Sequence, residues 1–220
     1  MNKKAIRDYI DKYADIPKEF GGRFNHMMSL LNIKDKDLGA LQKGMRKLLH
    51  IRWLRTNFVF YMIPKATPRA RRSGRTGVFY VKDASDNSQL FKKFIDEEGQ
   101  TLGIVATPCR IYIDAYIQTP SSMSRFEKIW SELKLIRGLG KPDYDNVAKT
   151  YGDMVQKYYL LDDALIVEGH VRKFYSCLPR VEIQIEYMEE FDCKYHKKKV
   201  ESWKTYQQAY KEIDAKDSIV

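Results

Sequence analysis

Two runs of alternating apolar and polar residues constrain the fold of this chain more than any other feature. Between residues 180 and 188 the apolar positions are Val181, Ile183, Ile185 and Tyr187. Between residues 108 and 118 they are Ile111, Ile113, Ala115 and Ile117. A period of two predicts β-strands that bury one face only. The chain therefore contains a sheet that other elements cover on one side.

Helical patterns surround these strands. Further strands are predicted at residues 57–63, 78–81 and 165–175, and helices at residues 1–14, 35–53, 88–97, 121–137, 143–158 and 198–213. Residues 64–77, which contain two prolines and two glycines, predict an exposed loop. The pattern favours an α+β fold in which a mixed, mainly antiparallel sheet of four or five strands is packed by helices. The helix after Pro142 is expected to lie between two strands, and the N- and C-terminal regions add further helices.

A cluster of carboxylates marks the start of that helix. Asp143 lies at its beginning, where the helix dipole favours an anion, and Asp145 and Lys149 are neighbours one turn apart. A second acidic pair, Asp162-Asp163, follows the helix. Carboxylates that are held together repel one another unless a cation binds them, and Mg²⁺ takes oxygen ligands of this kind. A lysine beside such a cluster suits phosphodiester hydrolysis by a metal-activated water. The structural alternative is a surface helix that is capped by Asp143 and carries an Asp145–Lys149 ion pair.

The positive charge of the chain is concentrated in one segment. The net charge is +10, and residues 38–82 contain eleven Lys and Arg residues but no Asp or Glu. The remainder of the chain is therefore close to neutral. A concentration of this kind indicates a polyanionic partner, and a solvated basic surface is the alternative.

Other classes of site and compartment are disfavoured. The three cysteines and four histidines are scattered and have no zinc-site spacing, and no disulfide framework is indicated. No apolar run reaches the length of a membrane helix, and no secretory signal is present, so we expect a cytoplasmic protein without membrane contact.

The order Lys141-Pro142-Asp143-x-Asp145-Asn146, Lys149 and Asp162-Asp163 resembles the RusA family of Holliday-junction resolvases. The resemblance covers about residues 56–188. It implies an endodeoxyribonuclease that depends on Mg²⁺, or on Mn²⁺ in its place, with Asp143, Asp145, Lys149 and Asp163 as catalytic residues. The three aspartates among them are the implied metal ligands. The basic loop is the implied phosphate-contacting segment, with Lys65, Arg69, Arg71, Arg72 and Arg75.

The resemblance also predicts the organisation of the chain and its partners. Residues 56–190 are expected to form the nuclease core, residues 1–55 a helical N-terminal extension, and residues 191–220 a C-terminal helical extension. The expected substrate is branched DNA, above all four-way junctions, in recombination and repair. The expected source is bacterial or phage-encoded. Because one chain carries one acidic cluster and a junction needs two symmetric cuts, we expect a homodimer.

Two departures from the family pattern affect the site, and two other functions stay open. Residues 121–137 are an insertion before the Asp motif, and residues 157–161 replace an expected glycine-containing turn. The chain could instead be a related nuclease that acts on flaps or plain duplex, or a non-catalytic nucleic-acid-binding protein with structural aspartates. No base-reading motif is evident, so recognition of backbone and shape is expected.

Overall fold

The computed structural model describes residues 4, 8, 28–65, 71–73, 77–79, 91–93, 95, 103–191 and 193–217, with side chains for all but 71–73, 77–79 and 206–217. The chain divides into two compact units. One unit comprises residues 1–52 and 189–192, and the other comprises residues 53–188 and 193–220. In the first unit, a short 3₁₀ helix at Asp35–Asp37 leads into α1 (Leu38–Leu49), which buries Leu38.

The second unit is built on a four-stranded sheet. Its strands are β1 (Trp53–Phe60), β4 (Cys109–Gln118), β5 (Ile166–Ser176) and β6 (Arg180–Met188). They lie in the order β1-β6-β4-β5. β6 pairs antiparallel with β1 and β4, whereas β4 and β5 are parallel. Two short strands, β2 (Arg71–Ser73) and β3 (Gly77–Phe79), form a separate antiparallel pair.

Helices complete the second unit and explain the parallel pair. Between β4 and β5 the chain forms α2 (Arg125–Glu132), α3 (Tyr144–Tyr159) and a 3₁₀ helix (Asp163–Leu165), and α4 (Lys194–Asp217) follows β6. Parallel neighbours require a crossover of this kind, because the chain must return to the starting edge of the sheet. The predicted α+β class, with a mixed and mainly antiparallel sheet, is confirmed. The predicted position of the helix after Pro142, between two strands, is confirmed as well.

The core lies between α3 and one face of the sheet. The apolar residues of the alternating runs point into it, and Ile111, Ile113, Ala115, Val181, Ile183 and Ile185 are all buried. α3 contributes a stripe at helical spacing, namely Val147, Thr150, Tyr151, Met154, Val155 and Tyr159. The ring of Tyr159 stacks on that of Phe58 with centroids 4.6 Å apart. Burial of large side chains is worth about 1.5–3 kcal/mol each, which fixes α3 against the sheet.

The other face of the sheet carries charged and aromatic side chains. Arg172 on β5 forms two hydrogen bonds with Asp114 on β4, at 2.6 and 2.7 Å. The guanidinium of Arg180 lies 3.6 Å from the centroid of the Tyr116 ring. Cross-strand pairs of this kind account for the polar positions of the alternating runs.

Three predicted elements differ from the structure. The helix predicted for residues 35–53 ends at Leu49, because Trp53 begins β1 and pairs with Met188 of β6. The loop predicted for residues 64–77 contains β2 and the start of β3. The helix predicted for residues 121–137 is limited to α2, and its apolar stripe of Phe126, Ile129, Trp130 and Leu133 is exposed.

Other predicted helices are confirmed in part or fall outside the described residues. The final helix is longer than predicted, and residues 91–93 and 95 are helical within the predicted 88–97 helix. The predicted helix at residues 1–14 lies largely outside the described residues. The predicted domain boundaries at residues 55 and 190 stay predictions. None of the helices that the structure describes has the length and apolar character needed to cross a bilayer.

Candidate active site

Asp143 occupies the N-cap of α3. Its backbone is extended, with φ −68° and ψ 156°, and its carbonyl oxygen accepts the first helical hydrogen bond from the Val147 N–H at 3.0 Å. An N-cap aspartate ordinarily also accepts a bond on its carboxylate from an amide of the first turn. The exposed Asp143 carboxylate accepts no such capping bond. The simple capping role that was the structural alternative is therefore not the role of this side chain.

Asp145 and Lys149 follow on the exposed side of α3. Both side chains are exposed, in the first and second turns of the helix. Among the ion pairs of the described residues, none joins Lys149 to Asp145 or to Asp153. The second part of the structural alternative, an Asp145–Lys149 ion pair, is thus not formed. Among the described residues no carboxylate pairs with Lys149, which can therefore contact an external anion.

The segment before Asp143 is attached to strand β5. The Gly140 N–H donates to the Tyr175 hydroxyl at 3.0 Å, and the Lys173 ammonium donates to the Gly140 carbonyl at 2.7 Å. Gly138 approaches β5 so closely that an added Cβ would lie 3.2 Å from the Phe174 carbonyl carbon. Pro142 is buried. These contacts fix the entry to α3 and hence the position of Asp143.

The second acidic pair lies beyond the other end of α3. Asp162 is the N-cap of the short 3₁₀ helix, and its carboxylate accepts a hydrogen bond from the Ala164 N–H at 2.9 Å. Asp163 is the first residue of that helix and is exposed. The two carboxylates of this pair therefore have different surroundings: that of Asp162 caps the 3₁₀ helix, whereas that of Asp163 is exposed to solvent.

The structure places the three predicted metal ligands in two groups. Asp143 and Asp145 lie at the start of α3, and Asp163 follows the end of this helix, whose 16 residues span about 24 Å. Over the described ranges, no three His, Cys, Asp or Glu side chains lie close enough to hold a metal ion together. The donor chemistry fits Mg²⁺, which is commonly held by one or two carboxylates together with substrate phosphates and waters. Asp143 and Asp145 supply such a pair of carboxylates.

The predicted DNA-contacting loop begins beside α3. The Lys65 side chain is exposed, and the Lys65 backbone N–H donates to the Tyr151 hydroxyl at 3.3 Å. Burial raises the pKa of Tyr151 to about 12, and the hydrogen bond from Lys65 opposes part of this rise. The backbone of Arg71 and Arg72 lies in β2. Arg69 and Arg75 lie outside the described residues.

The region that contains this site matches a known protein family. The sequence model of the endodeoxyribonuclease RusA family matches residues 61–186, which is more than half of the chain. The match includes β4, α3, both acidic segments and β5. The chain belongs to the RusA family. Because the family consists of endodeoxyribonucleases, the match supports nuclease activity for this RusA-family chain.

A bacterial relative shares most of the matched region. The Bacillus subtilis protein named "Uncharacterized protein YqaN" is 32% identical over 133 residues. The alignment covers 58% of this chain and 93% of that protein. The alignment shows that this RusA-family chain has a bacterial relative of similar sequence. The name of that relative states no activity.

Two residues that position this RusA-family site were not predicted from the sequence. Tyr175 and Lys173 hold Gly140, but they lie 35 and 33 residues away from it in the chain. Their places near the end of a strand gave no signal that the strand would contact the segment before the Asp motif. A prediction that β4 and β5 are parallel would have indicated this contact. The C-terminal ends of parallel neighbours lie at the same edge of the sheet, so the end of β5 lies beside the segment that follows β4.

Proposed function

We propose that this chain is a Mg²⁺-dependent endodeoxyribonuclease that cuts four-way DNA junctions. The observation that carries the proposal is the Asp143 carboxylate, which lies at a helix N-terminus without capping it, inside the segment that matches the RusA family. The helix dipole favours an anion at this position, and because the carboxylate is exposed and does not cap the helix, a cation can reach its oxygens.

The residues divide the chemistry among them. Asp143 and Asp145 would hold the divalent cation, which supplies an activated water and neutralises charge on the phosphate. Lys149, one turn along the same exposed side, stabilises negative charge on the phosphate as the bond breaks. The Lys65 loop starts beside the middle of α3, and its basic side chains would contact the phosphates of the DNA.

The position of Asp163 supports a homodimer in which each active site contains residues of both chains. One chain holds Asp143 and Asp145 at one end of α3 and Asp163 beyond the other end. A suitably placed two-fold axis would bring Asp163 of one copy to the Asp143–Asp145 pair of the second copy, and symmetry would repeat the contact at a second site. Two sites made in this way match the two symmetric cuts that resolve a junction.

Cleavage assays with synthetic DNA test the activity. Four-way junctions, flaps and plain duplex are incubated with the protein in the presence of Mg²⁺, Mn²⁺ or EDTA. We expect paired cuts in the junction that require the divalent cation. Asp143→Asn keeps the shape of the side chain but loses its charge, so cutting should stop while binding of the junction persists. Asp153→Asn, an exposed change on the same helix, is the matched control and should cut normally.

The assay separates the remaining alternatives. Preferential cutting of flaps or duplex would assign a related nuclease with another substrate. Binding without cutting under all metal conditions would assign a non-catalytic DNA-binding protein. Full activity of the Asp143→Asn variant would refute the proposed catalytic site.

Subunit mixing tests the shared site. Asp143→Asn and Asp163→Asn chains are each inactive alone, but a mixed dimer with shared sites retains one intact Asp143–Asp145–Asp163 set and should nick the junction. If each site lies within one chain, both sites of the mixed dimer carry a change and no activity returns. Light scattering in the absence of DNA gives the oligomeric state independently, and a monomer that makes paired cuts would refute the dimer.

A further inference from the structure

A pocket of about 290 Å³ lies beside the Asp143–Asp145 motif. It is lined by Tyr112, Tyr144, Gly169, His170, Val171 and Arg172. Tyr144 is the residue between the two aspartates, in the first turn of α3. A group bound in this pocket is therefore next to the carboxylates that would hold the metal. The roles given to Asp143, Asp145 and Lys149 do not use the pocket.

Flat rings form one wall of the pocket. Tyr112 of β4 and His170 of β5 are partners in the parallel register, and their rings stack at 4.9 Å with only 3° between their planes. The His170 side chain is 52% exposed and Tyr144 is 59% exposed. Aromatic side chains that serve the core are buried, whereas exposed stacked rings offer a free face to a planar ligand.

The charges around the pocket disfavour a phosphate as its ligand. The Arg172 guanidinium is held by both oxygens of Asp114, so its plane is fixed and its charge is compensated. His170 Nε2 lies 2.6 Å from the Glu168 carboxylate. No surplus positive charge faces the pocket from these described side chains. A fixed guanidinium plane and aromatic rings are the surfaces on which nucleobases stack.

Gly169 leaves the pocket open. A Cβ added at this exposed glycine would meet no heavy atom within 4 Å. Glycine weakens a strand interior, and its presence there is typical of a site where another group approaches closely. A side chain at Gly169 would point to the face of the sheet that carries its register partner Ile111, opposite to the His170 ring, so the space that Gly169 leaves open lies on the Tyr144 side of the pocket.

We propose that this pocket binds one unpaired nucleobase of the DNA, adjacent to the phosphodiester that is cut. This inference rests on the proposed nuclease function. Removal of a base from its stack is least costly where the base is already unpaired, so the pocket would favour DNA with an open branch point over plain duplex. The bound base would fix which phosphate lies at Asp143 and Asp145.

Two variants remove the pocket in opposite ways. His170→Ala deletes a stacking face, and Gly169→Val fills the space with a side chain that suits a β-strand. Phe126→Ala is the matched control, because it also deletes an exposed, stacked aromatic ring, on α2 and outside the pocket. Affinity for a fluorescent four-way junction is measured in EDTA, and cut positions are mapped in Mg²⁺. We expect both pocket variants to bind roughly five- to a hundredfold more weakly and to spread their cuts over more positions.

A crosslinking experiment with the unchanged protein makes the result independent of the variants. Junctions carry 5-iodouracil at single positions around the branch point, and the residue crosslinked on irradiation is identified by mass spectrometry. Crosslinks to Tyr112, Tyr144 or His170 support the pocket.

The outcomes separate this inference from the proposed function. If the unchanged protein cuts junctions but both pocket variants match it in affinity and cut positions, and crosslinks lie elsewhere, the pocket proposal is wrong and the nuclease proposal stands. If the unchanged protein neither binds nor cuts branched DNA, both proposals fail.

Discussion

The same substitution, Gly→Ala, should change the free energy of unfolding differently at three glycines of this chain. It should lower it at one, leave it nearly unchanged at the second and raise it at the third. At Gly138 the new Cβ would lie 3.2 Å from the Phe174 carbonyl carbon and 3.3 Å from the Phe174 nitrogen. These atoms belong to β5, which pairs with β4 along its length, so the strand does not yield easily. Overpacking of this kind costs about 1–3 kcal/mol.

The other two positions provide the comparison. At Gly140 the nearest atoms to a new Cβ are a flexible side-chain methyl at 3.4 Å and a hydroxyl at 3.5 Å, so the change should be nearly neutral. At Gly152, inside α3, a new Cβ meets nothing within 4 Å. Alanine there should stabilise the fold by up to about 1 kcal/mol, because glycine is the poorer helix former.

Urea unfolding followed by tryptophan fluorescence measures all three changes. Trp53, Trp130 and Trp203 all belong to the unit that contains the sheet, so the signal reports on that unit. Comparison of midpoints at constant m-value gives the change in the free energy of unfolding. Gly138→Ala should also lower the cleavage rate, because it displaces the segment that leads to Asp143. A Gly138→Ala protein as stable as the Gly152→Ala protein would refute the close-packing argument.

Three further predictions concern the site and its surroundings. Lys149→Ala should lower the single-turnover rate of cleavage more than the affinity for the junction, and an unchanged rate would remove Lys149 from the chemistry. Replacement of both Arg71 and Arg72 by alanine should flatten the plot of log affinity against log salt by about two, since each phosphate contact contributes about 0.9 to the slope; an unchanged slope would place the DNA on another surface. The pKa of Tyr151 is about 12 in the folded protein, against about 10 when unfolded, so the folded state holds more protons in this range and its stability falls as pH rises from 10 to 12. The loss from this residue should approach roughly 3 kcal/mol above pH 12 and be about half of that at pH 11, so Tyr151→Phe should show a smaller decline between pH 9 and pH 11 in unfolding measurements.

Local periodicity made most of the sheet predictable. The alternation around Ile113 and Ile183 was sufficient to place β4 and β6, because the period of two is a property of each strand by itself. The start of β1 was not predictable in this way. Trp53 and Leu54 follow a helical pattern, and they become extended because they pair with residues of β6 more than 100 positions later.

The candidate site was predictable in its parts but not in its assembly. Pro142 and the periodicity after it indicated a helix that begins near Asp143, and α3 starts at Tyr144. The number of residues between Asp145 and Asp163 does not by itself give the distance between their carboxylates. That distance depends on α3, a rigid helix that holds the two residues near its opposite ends. Nor did the sequence indicate that Tyr175 would hold Gly140, since that contact depends on the crossover between β4 and β5.

The order of the strands has a consequence for the synthesis of the protein. β6 is the last strand of the sheet to leave the ribosome, yet it lies between β1 and β4. At about 5–20 residues per second, the interval between β1 and β6 is on the order of 10 s. For that time β1, which carries Phe58 and Phe60, lacks its partner β6, and a chain that stops before residue 180 never acquires this partner. We therefore expect the nascent chain to bind chaperones until β6 is made, and early termination to yield an insoluble product instead of a smaller nuclease.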